Sequence, residues 1–207
     1  MSWLEHFAAS SSESARESPA SAPEERAAPG LASLFAALSP DGRHSVLDLG
    51  SAEGRRLRLL GRFARSVRFA ELVPFPPQGA DLDAALRRLG DRPGDGYDVV
   101  LAWNVFDRLQ EAERERLLER LVEVTSPGAR LHAMTDASGS AAIQPVRITV
   151  LELDRLATEP AGPSEPARPP LLPRQVERLL RPFDVVRGFS LKGGWREYVA
   201  QRGEPPS

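Results

Sequence analysis

Residues 45–57 read SVLDLGSAEGRRL. An apolar run ends in Asp48-Leu49-Gly50, passes through the small residues Ser51 and Ala52, and opens a helical pattern at Glu53. This is a buried strand by its length and Val/Leu content, then a tight turn, then a helix. Turns of this kind hold anionic or nucleoside ligands, and the glycine spacing discriminates among them. A dinucleotide fingerprint needs G-x-G-x-x-G, and here those positions are Gly50, Ala52 and Arg55. A phosphate-binding loop needs G-x-x-x-x-G-K-[ST], but the only lysine in the chain is Lys192. What the stretch does match is D-x-G-x-x-x-G, from Asp48 to Gly54.

Outward from this turn, strands and helices alternate. Leu31, Leu34, Phe35 and Leu38 form a helical stripe ahead of it. After it, Leu57, Leu60 and Ala64 fall on one helix face, with Leu59 and Phe63 alongside, and Val67–Glu71 reads as the second strand. Asp81–Leu89 is a short amphipathic helix, and Tyr97–Trp103, YDVVLAW, is a clear strand. Glu111–Thr125 carries the stripe Leu117, Leu118, Leu121, Val122 and Thr125, and Pro127-Gly128 ends it. ARLHAMTD, ending at Asp136, is a further strand. Arg174–Leu180 is a short helix, and FDVVRGFSL and WREYVAQ pair across Lys192-Gly193-Gly194 as a hairpin. The expected fold is α/β: a Rossmann-like, doubly wound, mostly parallel sheet closed by a C-terminal antiparallel β-hairpin. The segment 72–96 holds one helix, so the third strand of such a sheet is expected to be reduced or missing.

The 207 residues suffice for one domain with a substantial core. A net charge of −2 gives no global field to recruit nucleic acid or an anionic membrane. The absence of cysteine excludes disulfides, thiolate zinc sites and a cysteine nucleophile. His6, His44 and His132 have no metal-ligand spacing, so no metal is expected. The basic residues are almost all arginine in an Ala-, Pro- and Gly-rich chain, which reads as compositional bias rather than phosphate binding. No apolar run reaches spanning length, and MSWLEHFAASSSES lacks the basic start and apolar stretch of a signal peptide. A cytoplasmic protein is expected.

Residues 1–30 read as a short N-terminal helix followed by a disordered Ser/Ala/Pro/Glu linker. Trp3, Leu4 and Phe7 share one face of that helix and can dock on the domain, cover a ligand or meet a protein partner. The ordered domain is expected over 31–203. Within it VRITVLELDRLA has strand-like composition, and a Pro-rich insertion spans about 158–173.

In an open parallel sheet, ligands sit beyond the carboxyl ends of the strands, where the strand order reverses. Asp48, Glu71, Asn104 and Asp136 all stand at such ends. At this point the chain resembles the class I S-adenosylmethionine-dependent methyltransferases. VLDLGSAEG looks like their first motif, in which a small residue often replaces the middle glycine. YDVVLAWNVFDRL is similar to their fourth-strand segment, PGARLHAMTD to the segment around the fifth strand, and LLRPFDVVRGFSLKGGWREYVAQR to the closing helix and hairpin. The resemblance runs in order through residues 31–201. It implies S-adenosylmethionine as cofactor, held by Asp48, Gly50, Ser51, Ala52, Gly54, Glu71, Trp103 and Asn104, with Glu71 on the ribose hydroxyls. It implies methyl transfer to an acceptor that the sequence does not identify.

Methyl transfer needs alignment of nucleophile, carbon and sulfur, and a base only where the acceptor is protonated. Asn104, Asp107 and Asp136 are the positional candidates; His132, inside a strand, reads as a core residue. Arg108 stands where many relatives carry histidine. These departures keep a second reading open: a non-catalytic methyltransferase-like protein acting as a binding or regulatory module. A nicotinamide-dependent oxidoreductase fails the glycine spacing and lacks a Tyr-x-x-x-Lys pair.

Overall fold

In the computed structural model, which describes residues 23–72, 82–89, 96–140, 142–143, 145–162, 165–166 and 169–203, strands and helices alternate from the start. Strand β1 (Glu24–Ala27) and helix α1 (Pro29–Ala36) lead into β2 (His44–Asp48), α2 (Gly54–Leu60), β3 (Ala64–Phe69) and α3 (Leu82–Arg88). Then come β4 (Tyr97–Trp103), the single turn α4 (Val105–Arg108), α5 (Glu111–Val124) and β5 (Thr125–Asp136). Two two-residue strands, β6 (Ala142–Ile143) and β9 (Glu165–Pro166), flank the hairpin β7 (Val146–Glu152) and β8 (Arg155–Pro160). Helix α6 (Pro173–Leu179), β10 (Phe183–Ser190) and β11 (Trp195–Arg202) complete the fold.

Six strands form the main sheet in the order β10-β11-β5-β4-β2-β3. β3, β2, β4 and β5 are mutually parallel. β11 runs antiparallel between β5 and β10, as the closing hairpin led one to expect. The chain winds outward from β2 to β3, then returns to lay β4 on the other side of β2. The switch point of the sheet therefore lies between β2 and β4, at Asp48 and Trp103. Among the described residues no strand lies beyond β3; 73–81 and 90–95, where the third strand was expected to be reduced or missing, lie outside the described residues.

Both faces of the sheet are covered, and the period of two along each strand sorts side chains between them. Leu47, Val100, Leu131 and Tyr198 join one apolar cluster with Leu117, Leu118 and Leu121 of α5. Val46, Val99, Trp103, Met134 and Val199 join a second with Leu31 and Leu34 of α1. Helix α5 starts with a capping box, in which the Gln110 N–H donates to Glu113 Oε2 at 2.7 Å. It ends at Val124 rather than Thr125, because Thr125 turns into β5 while its hydroxyl donates to the Leu121 carbonyl.

Three local expectations change. Helix α2 ends at Leu60, and Ala64 already belongs to β3, so Ala64 does not share a helix face with Leu57. Leu57 is 49% exposed, whereas Arg56 is buried beside Leu60, because the helix turns Arg56 toward Asp48. The expected linker is overwritten at its end. Glu24–Ala27 pairs antiparallel with β8, although EERA carries no strand-like pattern; its backbone bonds are joined by Arg26 over the Trp195 ring, 5.1 Å from the centroid, and by Glu25 beside Arg155 at 3.8 Å. VRITVLELDRLA becomes the hairpin β7–β8, and Thr158–Pro160 of the expected Pro-rich insertion belongs to it. The resulting order β1-β8-β7 is a small antiparallel sheet, here called the flap. It is pinned by Ile148, Val150 and Leu156 in the cluster on the α1 side. Trp3, Leu4, Phe7 and Asp81 lie outside the described residues.

Leu121 has no solvent exposure in the α5 layer. Leu121→Ala is expected to lower unfolding free energy by about 2–5 kcal/mol in urea titrations, since the site can collapse only partly around the missing atoms.

Candidate functional site

Period-two placement brings Asp48, Trp103, His132 and Glu197 to the same sheet face, the one beneath the flap. All four are buried. Asp48 Oδ1 accepts from Trp103 Nε1 at 2.7 Å and from the Gly50 N–H at 2.8 Å. Arg56 Nη1 lies 3.3 and 3.2 Å from the two Asp48 oxygens. The Arg56 guanidinium sits over the Trp103 ring, 4.7 Å from its centroid, and His132 meets that ring edge-on at 5.6 Å. His132 Nε2 is 2.9 Å from Glu197 Oε1, and Glu197 Oε2 accepts from the Gly30 N–H at 2.6 Å, in the first turn of α1. A continuous polar row thus crosses β2, β4, β5 and β11 from α2 to α1.

Burial pushes the Asp48 carboxyl up, and the Arg56 charge and the Trp103 and Gly50 hydrogen bonds oppose that rise. Two glycines are needed by this row. A Cβ on Gly50 would stand 2.8 Å from Arg56 Nη1, and one on Gly30 would stand 2.7 Å from Glu197 Cβ. The resemblance implied that Asp48 contacts a cofactor. In the structure its carboxylate is fully engaged by protein groups.

Above the row, at the carboxyl ends of β2, β3 and β4, lies a cavity of about 80 Å³. Gly50, Ser51, Arg56, Glu71, Trp103 and Asn104 line it from the sheet side, and Val146, Arg147, Ile148 and Ala161 from the flap side. Ala52 and Gly54 of the expected set do not line it. Two lining groups have spare hydrogen-bonding capacity. Glu71 is exposed at the rim, with no hydrogen-bond partner among the described residues, and the buried Asn104 Oδ1 has none either. Glu71 (φ 35°) and Trp103 (φ 49°) are the only non-glycine residues with positive φ among those described. Such conformations cost about 1–3 kcal/mol each and cluster at ligand sites. Both occur at this one cavity.

Asp107 and Asp136 lie beside each other but off the cavity: Asp107 Oδ2 accepts from the Asp136 N–H at 2.6 Å. Burial raises the Asp107 carboxyl to about 7; the Asp136 N–H lowers it, the Asp136 charge adds to the rise, and the Arg114 charge opposes it. Asp136 also caps its own turn, accepting from the Ser138 N–H at 2.8 Å. No group of three or more His, Cys, Asp or Glu that could hold a metal occurs among the described residues.

Sequence reasoning missed Arg56 and Glu197. Arg56 is one of three arginines in GRRLRLL, and leucine periodicity pointed to Leu57 instead. Glu197 had a usable signal: in WREYVAQ it alternates in phase with Trp195 and Val199, which puts an acid on an apolar face.

Asp48→Ala would leave the buried Arg56 with Glu53 Oε2, 4.0 Å from its Nε, in place of the closer Asp48 carboxylate. The expected loss is about 3–5 kcal/mol of unfolding free energy, measured by urea denaturation.

No protein-family model and no curated protein sequence matches the chain. Solved structures do. An S-adenosylmethionine-dependent methyltransferase from Mesorhizobium loti matches with a TM-score of 0.51 at 15% identity, over 82% of this chain and 96% of that one. A Sulfolobus solfataricus protein described as a type 11 methyltransferase matches with a TM-score of 0.50 at 13% identity, over 81% and 89%. At such identities the likeness speaks to the fold alone: a Rossmann-like α/β fold that this chain shares with these two proteins.

Proposed function

We propose that this chain binds S-adenosylmethionine at the cavity beneath the flap and, in the cytoplasm, directs its methyl group to an acceptor yet to be identified. The observation that carries this reading is Glu71. Its carboxylate, without a partner among the described residues, stands two residues past the end of β3, at the same cavity as Gly50 and Ser51. A carboxylate there can accept both hydrogen bonds of a vicinal diol. Asn104 adds a buried acceptor without a partner. Trp103 lines the cavity with one face of its ring covered by Arg56. Ser51 and Gly50 bring backbone to the cavity wall, while Ala52 and Gly54 stand away from it.

When bound, the cofactor supplies an electrophilic methyl group on a sulfonium. The chain's part is then to orient the two reactants and to take up a proton where the acceptor carries one. Asn104, at the cavity wall with an Oδ1 unpartnered among the described residues, is the candidate that stands nearest such an acceptor, whereas Asp107 lies off the cavity with its carboxylate on the Asp136 N–H. The lining groups suit the cofactor, but the space does not in the state described. About 80 Å³ falls well short of the roughly 300–1,000 Å³ of small-molecule sites. That observation favours a second reading, a non-catalytic binding module in which Arg56 permanently fills the site.

Calorimetric titration with S-adenosylmethionine and S-adenosylhomocysteine separates the two. The first reading expects saturable heat, weakened by about 1–3 kcal/mol in Glu71→Ala. Absence of heat at millimolar ligand would leave the second.

Asp107 gives a further check that needs no ligand. Its carboxyl is raised from 3.8 to about 7 in the fold, so its contribution to stability is full below the lower value and is lost as pH climbs through the upper one. Wild type is therefore expected to lose stability relative to Asp107→Asn between about pH 4 and about pH 7, with a constant gap above, as read by urea unfolding across that range.

A further inference from the structure

The cavity is small because one side chain and one strand close it. Arg56 is 3% exposed and joins three separate parts of the chain. Nη1 meets the Asp48 carboxylate and donates to the Ser51 carbonyl at 3.2 Å, within the turn itself. Nη2 donates to the Ile148 carbonyl on β7. Floor, turn and roof are thus tied through a single guanidinium. Its planar fork of donors suits it to bridge groups in several directions at once. The roof strand is the inner member of the flap, backed by β8 and then β1.

We infer that Arg56 is a latch that holds the flap down over the site, and that a ligand is admitted only when the guanidinium leaves Ile148 and β7 lifts. As a statement about the cofactor this rests on the S-adenosylmethionine reading. As a statement about the flap it does not. Asp48 is buried in either state and needs a partner with positive charge or donors. In the closed state Arg56 meets that need. In the open state the α-ammonium of an amino-acid-bearing ligand has the charge to replace it, so opening exchanges one cation for another. The apolar hold of the flap lies away from Arg56: Ile148, Val150 and Leu156 are buried in the cluster beneath, with Val146 and Leu153 packed against it.

The test uses the full-length chain as wild type, Arg56→Lys and Leu156→Ala. It has two readouts, amide hydrogen exchange of residues 146–160 and calorimetric titration with S-adenosylhomocysteine. Lysine keeps a cation for Asp48 but offers one ammonium, which cannot span Asp48 and the Ile148 carbonyl together. Loss of one charge-assisted hydrogen bond from the latch is expected to speed flap exchange about tenfold. The parallel strands should keep their protection, and S-adenosylhomocysteine should bind about tenfold more tightly. Leu156→Ala loosens the flap from its apolar side with the Asp48–Arg56 pair intact, and the same two shifts are expected. Wild-type flap exchange in Arg56→Lys overturns the latch. So does weaker binding in that variant, the behaviour of a residue that holds the ligand. Faster flap exchange with no binding by any variant supports the latch and overturns the cofactor reading instead.

Discussion

An aspartate carboxylate with no water around it must find its partners within the protein, and Asp48 is in that position. Arg56, Trp103 and the Gly50 N–H supply them. Much of the local architecture follows from this requirement. Helix α2 is rotated so that Arg56 rather than Leu57 faces inward. Gly50 is kept free of a side chain by the guanidinium beside it. Trp103 ends β4 in a left-handed conformation with its indole N–H on Asp48. A buried ion pair adds little net stability once desolvation is counted, yet removing one partner is costly. Such a pair acts as a register device: it admits one arrangement of turn, helix and strand end.

The frame of the molecule was legible in the sequence because burial on both sheet faces writes itself as apolar runs. Val46-Leu47, Val99–Ala102 and the Leu117/Leu118/Leu121 stripe located β2, β4 and α5. The polar strand-end residues Asp48, Glu71 and Asn104 located the switch point. The missed features have a different physical origin. β1 is held by edge pairing, which leaves no trace in EERA. Arg56 is distinguished from Arg55 and Arg58 only by the direction in which α2 is turned, and that depends on a contact with a strand far along the chain. The hairpin β7–β8 was visible as composition but not as a roof, since its position is set by contacts with parts of the chain distant in sequence, among them Arg56 on the Ile148 carbonyl and the Ala28 N–H on the Asp154 carbonyl.

The site is asymmetric as a result. On the β5 side it is closed by the flap and by the polar row running to Glu197. On the β3 side, among the described residues, no further strand follows, and Glu71 faces solvent at the rim. The flap walls one side of the cavity with Val146, Arg147 and Ile148, while Glu71 stands at the other rim. Shape and chemistry are controlled by different parts of the chain, with Arg56 the one residue common to both.

Of the two tryptophans among the described residues, Trp103 and Trp195, Trp103 lies in this row. Its indole has a guanidinium over one face, an imidazole at its edge and a carboxylate on its nitrogen. The emission of an indole responds to the electric field across its ring, so withdrawal of a cation held 4.7 Å from it changes its colour and yield. The buried row is therefore also an optical gauge, and the departure of Arg56 can be followed by light with no label attached.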